Sequence, residues 1–450
     1  MATFTVTTAS DVVNAGDGLL SLREAVQQAN ASAATADRVV FADALAGQTL
    51  TLTRGQLTVT ADLTIDGDRH DDGTAVTLSG GNVSRVLGIG GSGTDATLEG
   101  LTITGGSAPT AAGGGVHLAA GNRLLLDDCT VSANTAASGC GLYAATGSAL
   151  TIRSSTIRDN TMDASSYANG AGLLAVGAAV TVERSSFLDN RSNSYGGAIS
   201  VQAGGTLSLR TTELAGNFGG SFYGGGGGGG LHLDASEARV ETSAIVSNRG
   251  RGQGGGVLVE GSRLVLVQST VAGNNSTERY GSGTGGGILA IGGGELVLDG
   301  CTVTGNHAGF GYGGDGGGIV AANLRIANSI VAGNQEGGLD PGYNPIRFAS
   351  DVSGTIAASN GHNIFGSDVD GAIAGDREDV AGSRLFAATD PTTNGGILAL
   401  NGGPTETAAL RDALDNPALS GAEPVAAGDV DQRGFERPDP AGTNPDIGAF

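Results

Sequence analysis

The chain has 450 residues, of which 82 are Gly, 10 Pro and 3 Cys, with no Trp. It carries 23 basic residues, all Arg, against 45 acidic ones, a net charge of −22. Gly without a strict triplet period or abundant Pro excludes collagen, a 39% hydrophobic content argues against simple disorder, and the acidity disfavours binding to phosphate backbones, so nucleic acid is not an expected partner.

The opening residues, MATFTVTTASDVV, show neither a basic n-region nor an apolar core, so no N-terminal export signal is visible. No stretch of about 18 apolar residues exists, so no helical membrane span is expected. Ser21-Leu22-Arg23-Glu24 is a capping box. Leu22, Ala25, Val26 and Ala29 then come at helical spacing, which predicts an amphipathic helix over about 21–33, lying over the first coil of strands. Leu50/Leu52 and Leu63/Ile65 alternate as strands do. Asp66, Asp68, Asp71 and Asp72 crowd one turn, but without the spacing of an EF-hand. No metal or cofactor is expected, and Ca²⁺ at this turn is unproven.

From residue 100 onward a repeat dominates. Asn134, Asn160, Asn190, Asn217, Asn248, Asn274, Asn306 and Asn334 recur at steps of 26 to 32 residues. An apolar residue stands three before each, and a small one (Cys129, Ser155, Ser185, Thr212, Ser243, Ser269, Cys301, Ser329) five before. Gly-rich triplets followed by an aliphatic residue interleave with these, as in GGGV ending at Val116 and GGGI ending at Ile288. Between the two signatures lie alternating runs such as Leu124/Leu126 and Leu296/Leu298. A unit of this length cannot bury its own apolar face, but stacked copies can. The expected fold is therefore all-β: a single-stranded right-handed parallel β-helix, with like residues above one another about every 4.8 Å. The Asn column is expected to form a ladder at a turn, with Asn itself in the left-handed region. The Gly triplets mark a tight corner.

The expected division is a cap over 1–64, β-helix coils over 65–340, and irregular coils and tail over 341–450, where nine of the ten Pro residues fall. Cys129 and Cys301 share the small-residue column six repeats apart, about 29 Å, too far for a disulfide. His117 and His232 share a column after the Gly triplet, four coils or about 19 Å apart, and read as outward strand positions. Leu258, Leu289, Ile291 and Val320 also read as outward, needing cover from the tail or a partner.

The residues that suggest chemistry cluster in the turn between each Asn and the next Gly triplet. Tyr167, Tyr195, Phe218, Phe222, Tyr223, Tyr280, Phe310 and Tyr312 lie there, with Arg191, Arg249, Arg251, Arg279 and His307. Aromatic faces stack on sugars, and guanidinium forks grip carboxylates or sulfates. Candidate carbohydrate ligands are thus Arg191, Tyr195, Tyr223, Arg249, Arg251, Arg279, Tyr280, His307 and Tyr312. If the protein acts on a uronate glycan, Tyr280 or His307 would be the base for β-elimination; mutual packing of the aromatics within long turns is the other reading.

Phe187-Leu188-Asp189-Asn190 and the GGAI ending at Ile199 resemble the FxxN and GGA[ILV] repeats of chlamydial polymorphic outer-membrane proteins. Leu20-Ser21-Leu22-Arg23-Glu24-Ala25 resembles the CSLREA motif of bacterial exported repeat proteins, with Leu20 in place of Cys. Asn401-Gly402-Gly403-Pro404-Thr405, Asp431-Gln432-Arg433-Gly434-Phe435 and Asp446-Ile447-Gly448-Ala449-Phe450 resemble the choice-of-anchor region that comes after such β-helices. These resemblances imply a secreted or cell-surface bacterial protein, part of a longer chain and exported without a visible N-terminal signal. Its partner would be a polysaccharide or cell-surface glycan. A polysaccharide lyase and a structural spacer remain alternatives to an adhesin-like binder.

Overall fold

A computed structural model describes residues 2–32, 36–68, 70–162, 168–220, 225–277, 283–309, 313–339, 345–423, 430–436 and 444–449. Two compact units emerge: Met1–Ser192 with Ile199–Leu207, and Asn193–Ala198 with Ser208–Phe450.

The first unit opens on the expected helix, Leu22–Ala31. Ser21 caps it, and the Ser21 and Glu24 side chains each meet the other's backbone N–H. Arg23 pairs with Asp11 at 2.7 Å and also donates to the carbonyls of Gly55 and Gln56. The helix buries Leu22, Ala25, Val26 and Ala29 against Thr3–Val6, Asp37–Phe41 and Leu57–Val59. Strand stacking is already present among these residues: Thr3–Val6 pairs in parallel with Asp37–Phe41, and that strand with Leu63–Asp66.

Coil succeeds coil from there. The first sheet continues through Asp95–Glu99, Arg123–Asp127, Ala149–Arg153 and Ala179–Glu183, every pairing parallel and in register. The second sheet stacks Thr49–Thr51, Val76–Ser79, Leu101–Thr104, Thr130–Ser132, Thr156–Arg158 and Ser186–Leu188. A third sheet runs from Ser107–Ala112 to Arg191–Ser192.

The second unit repeats this plan. Its second sheet runs Glu213–Ala215, Ala244–Val246, Thr270–Ala272, Thr302–Thr304, Ile330–Ala332 and Ile364–Phe365. It also has a feature the sequence did not suggest. Gly226–Gly227, Gly252–Gln253, Gly283–Thr284 and Gly314–Asp315 form a fourth parallel ladder inside the Gly-rich turns.

Two columns of polar side chains hold the corners. In the second unit the Asn217 amide donates to Asn248 Oδ1, Asn248 to Asn274, Asn274 to Asn306 and Asn306 to Asn334, all at 2.9–3.1 Å. Each backbone N–H donates to the same oxygen. In the first unit Asn134, Asn160 and Asn190 bond likewise. The left-handed residue is the one before each Asn, not the Asn as expected: Ala133, Asp159, Asp189 and Ser247 have φ near +55° (52°, 56°, 53° and 55°). That turn is what swings the amide inward, where it has no water and so must find partners in the stack. The small-residue column forms a second ladder, with Ser155 Oγ accepting the Cys129 N–H and Ser329 Oγ accepting that of Cys301. Cys129, Cys140 and Cys301 are free and buried, and burial pushes each thiol up to about 12.

The tail of the second unit lies on the outer face of that unit's second sheet. Phe386, Leu385, Ala408, Leu410, Ala418 and Ile447 pack with Ile330, Ala332 and Ile364. The C-terminal motifs do the fastening. Gln432 accepts from Thr270 Oγ1 at 2.7 Å and donates to Thr405, while Gly396 and Ala449 donate their N–H groups to Thr304 and Thr302.

Candidate functional site

The residue after each ladder Asn is turned outward by strand alternation. In the third sheet of the second unit these residues are Phe218, Arg249, Asn275, His307 and Gln335, paired Cα to Cα in successive coils. Phe218 and Asn275 are half-buried and Arg249 is exposed. The Arg249 guanidinium lies 6.0 Å from the centre of the Phe218 ring, and its Nη2 donates to Thr277 Oγ1 at 3.2 Å. A planar cation is thereby held over an aromatic face with further donors pointing outward, which is a grip suited to a carboxylate or sulfate.

His307 differs from its expectation. It stands in the same column but is only 7% exposed. Burial, reinforced by Arg347, pushes its imidazole down to about 4, so it is neutral at ordinary pH. Neither ring nitrogen, nor Asn275 Oδ1, has a hydrogen-bond partner among the described residues. Arg251 is half-buried and packs over Gly220, where a Cβ would strike the Arg251 side chain.

Tyr195 is not in this column. Its ring stacks on His232 at 4.8 Å and 24°, and the His232 Nε2 lies 2.9 Å from Glu260 Oε2. His232 is 2% exposed, so the Tyr195 face is used within the protein. Burial and then Glu260 push the Tyr195 phenol up. Arg191 is exposed and belongs to the first unit, in register with Thr161. Tyr223, Arg279, Tyr280 and Tyr312 lie outside the described residues, as do Tyr167, Phe222 and Phe310.

The column adds Phe218, Asn275 and Thr277 to the candidate ligands. The signal for the first two is present in the sequence: each directly succeeds a ladder Asn. His117 stacks on Tyr143 at 5.1 Å. The outward apolar patch is covered in part by its own turns. Leu258 and Leu289 are buried beneath their own Gly turns, where a Cβ on Gly285 would come 2.7 Å from that of Leu289, and Ile291 and Val320 are half-buried. In the acidic turn, Asp68 accepts the N–H groups of Asp72 and Gly73. A trough of about 430 Å³ in the second unit is bordered by Asp315, Glu336, Asp368 and Asp370, and would repel an anionic glycan.

Residues 65–217, about a third of the chain, match the family model described as the right handed beta helix region. The chain is similar to the crystal structure of pectate lyase Pel9A, at 12% identity and a TM-score of 0.47, covering 100% of this chain and 96% of that one. It is also similar to a mannuronic acid specific polysaccharide family 6 lyase from human gut microbiota, at 10% identity and a TM-score of 0.31, covering 88% and 90%. A comparison with curated proteins gives no match. The family match, on coils whose strands pair in parallel and in register, makes the fold a right-handed parallel β-helix.

Proposed function

We propose that this protein is a carbohydrate-binding β-helix, secreted or displayed at a bacterial surface, that grips an acidic glycan along the outward column of the second unit. The observation that carries this reading is Arg249, exposed and poised over Phe218. An acidic sugar would set its carboxylate or sulfate on the guanidinium and its ring against the aromatic edge. In a chain of net charge −22, a cation placed this way favours anionic over neutral glycans.

The test is a glycan array followed by titration of the best ligand. Arg249→Ala should weaken binding about tenfold or more, since hydrogen bonds to charged groups contribute about 1.5–3 kcal/mol, with Phe218→Ala having the smaller effect. An array with no acidic binder removes the reading. A uronate lyase would need a base beside the same grip. Of the two candidate bases, His307 is enclosed, which takes it out of that role, and Tyr280 lies outside the described residues. Ultraviolet absorbance of unsaturated product on uronate polymers separates turnover from binding.

A further inference from the structure

The outer face of the first unit's second sheet carries none of the residues assigned a role above. In its strands the middle residue, such as Ile103 or Val131, turns inward and is fully buried. The residues on either side turn outward. One outward column reads Thr49, Thr77, Thr102, Thr130, Thr156, each paired Cα to Cα with the next. Its companion, two residues along each strand, reads Thr51, Ser79, Thr104, Ser132 before Arg158 ends it. The register runs through these coils without a bulge. These residues therefore stand on a grid of about 4.8 Å between coils and about 6.7 Å along the strand.

Three observations limit what could bind there. The first four rows hold no charge, although the chain's net charge is −22. They hold no aromatic ring, so nothing on the grid stacks on a sugar. The threonine hydroxyls of this grid bond no described residue, and neither does that of Ser132, which is only 8% exposed, whereas Ser79 Oγ accepts the Gly81 N–H at 3.2 Å. The second unit provides the contrast. Its outward positions there include Glu213, Ala244, Val246, Ala272, Ile330 and Ala332, and its hydroxyls Thr270, Thr302 and Thr304 are taken up by the tail.

A hydroxyl is both donor and acceptor. A regularly spaced net of such groups is complementary to a partner that is itself a periodic net of donors and acceptors. An extended peptide would need an open sheet edge, and this is a face. The geometry points to ice: the grid has a repeat of the same order as the oxygen net on a prism face of hexagonal ice, and it would hold first-layer water in positions that continue that crystal. This activity is independent of the glycan reading, which rests on other residues in the other unit.

Freezing-point hysteresis and ice-affinity partitioning of the full chain test it. Shaped ice crystals, a hysteresis gap and enrichment of the protein in the ice fraction are expected. Thr102→Tyr with Thr130→Tyr should abolish all three while the thermal midpoint stays unchanged. Thr151→Tyr with Thr181→Tyr, on the first sheet of the same unit, should leave them intact. Absence of hysteresis and of enrichment overturns the proposal. So does full ice affinity in the Thr102/Thr130 double variant, and so does binding through this face to a crystalline polysaccharide with none to ice.

Discussion

Asp351 closes the Asn ladder of the second unit. Val352 pairs with Ile319, so Asp351 occupies the position that Gly318 holds one coil earlier, at the last place of the Gly triplet. Its Oδ1 accepts both the N–H and the Nδ2 of Asn334, at 3.0 and 2.8 Å, where a further Asn would otherwise stand. Ser367 Oγ donates to Oδ2. Burial outweighs these bonds and pushes the carboxyl from 3.8 up to about 6. The folded state therefore holds this proton more tightly than the unfolded chain does. Ionised Asp351 costs the folded state about 3 kcal/mol above pH 6, and that cost fades as the pH falls toward 4. Asp351→Asn should accordingly raise stability at pH 7.5 and leave it unchanged near pH 3.5, as measured by urea unfolding at each pH. The Asn column itself was legible because one residue type recurs at one interval. Asp351 was not, because its role depends on entering a column of Gly from the opposite corner.

At the scale of elements, the helix was legible nearly to the residue. Ser21 and Glu24 specify its start in local terms, and the apolar spacing specifies its buried face. The short strands were legible for the same reason, with period two visible against buried Leu, Ile and Val. The fourth ladder was not. Gly226–Gly227 and Gly283–Thr284 have almost no side chains to alternate, so nothing in the sequence marks them as strands. The same turns explain why Leu258 and Leu289 look uncovered in the sequence, since alternation tells which way a residue points but not what folds back over it. Gly285 makes this closure possible, with φ of +62° and a Cβ position 2.7 Å from Leu289 Cβ and 2.8 Å from the Ile288 carbonyl. Gly285→Ala should lower stability by about 1 kcal/mol or more through the left-handed backbone alone, and should raise proteolysis within the turn before the second unit as a whole unfolds.

At the scale of the molecule, the sequence motifs near the C-terminus turn out to be fasteners. Gln432 links Thr270 of the second sheet to Thr405 and the Glu406 carbonyl in the tail, and it is 1% exposed. Gln432→Ala leaves several buried polar groups unpaired, and should destabilise the second unit by about 1–3 kcal/mol, read as a lower urea midpoint. The motifs could be recognised in the sequence, but their partners lie far back along the chain, and no local pattern names a distant threonine. The candidate ligand site was legible in part. Residues directly after a ladder Asn were certain to share a side, which brought Arg249 and His307 into one column. Exposure was not encoded there: Arg249 stands clear, His307 is enclosed, and Tyr195 covers His232.

The Asn ladder of the second unit has a direction. From Asn217 to Asn334 every side-chain amide donates one N–H to the ladder oxygen of the later coil, and from Asn248 onward each oxygen accepts from the earlier coil, while the second N–H of Asn248, Asn274, Asn306 and Asn334 returns to a backbone carbonyl of the earlier coil. The amide dipoles therefore add, and the row acquires a positive pole at its last donor, as a helix does at its N-terminus. Asp351 sits at that pole. Its negative charge is partly compensated by the amides aligned across the stack, and no cation among the described residues contributes. Interrupting the row at Asn274 would thus be felt three links away, as a carboxyl at Asp351 harder to ionise than before.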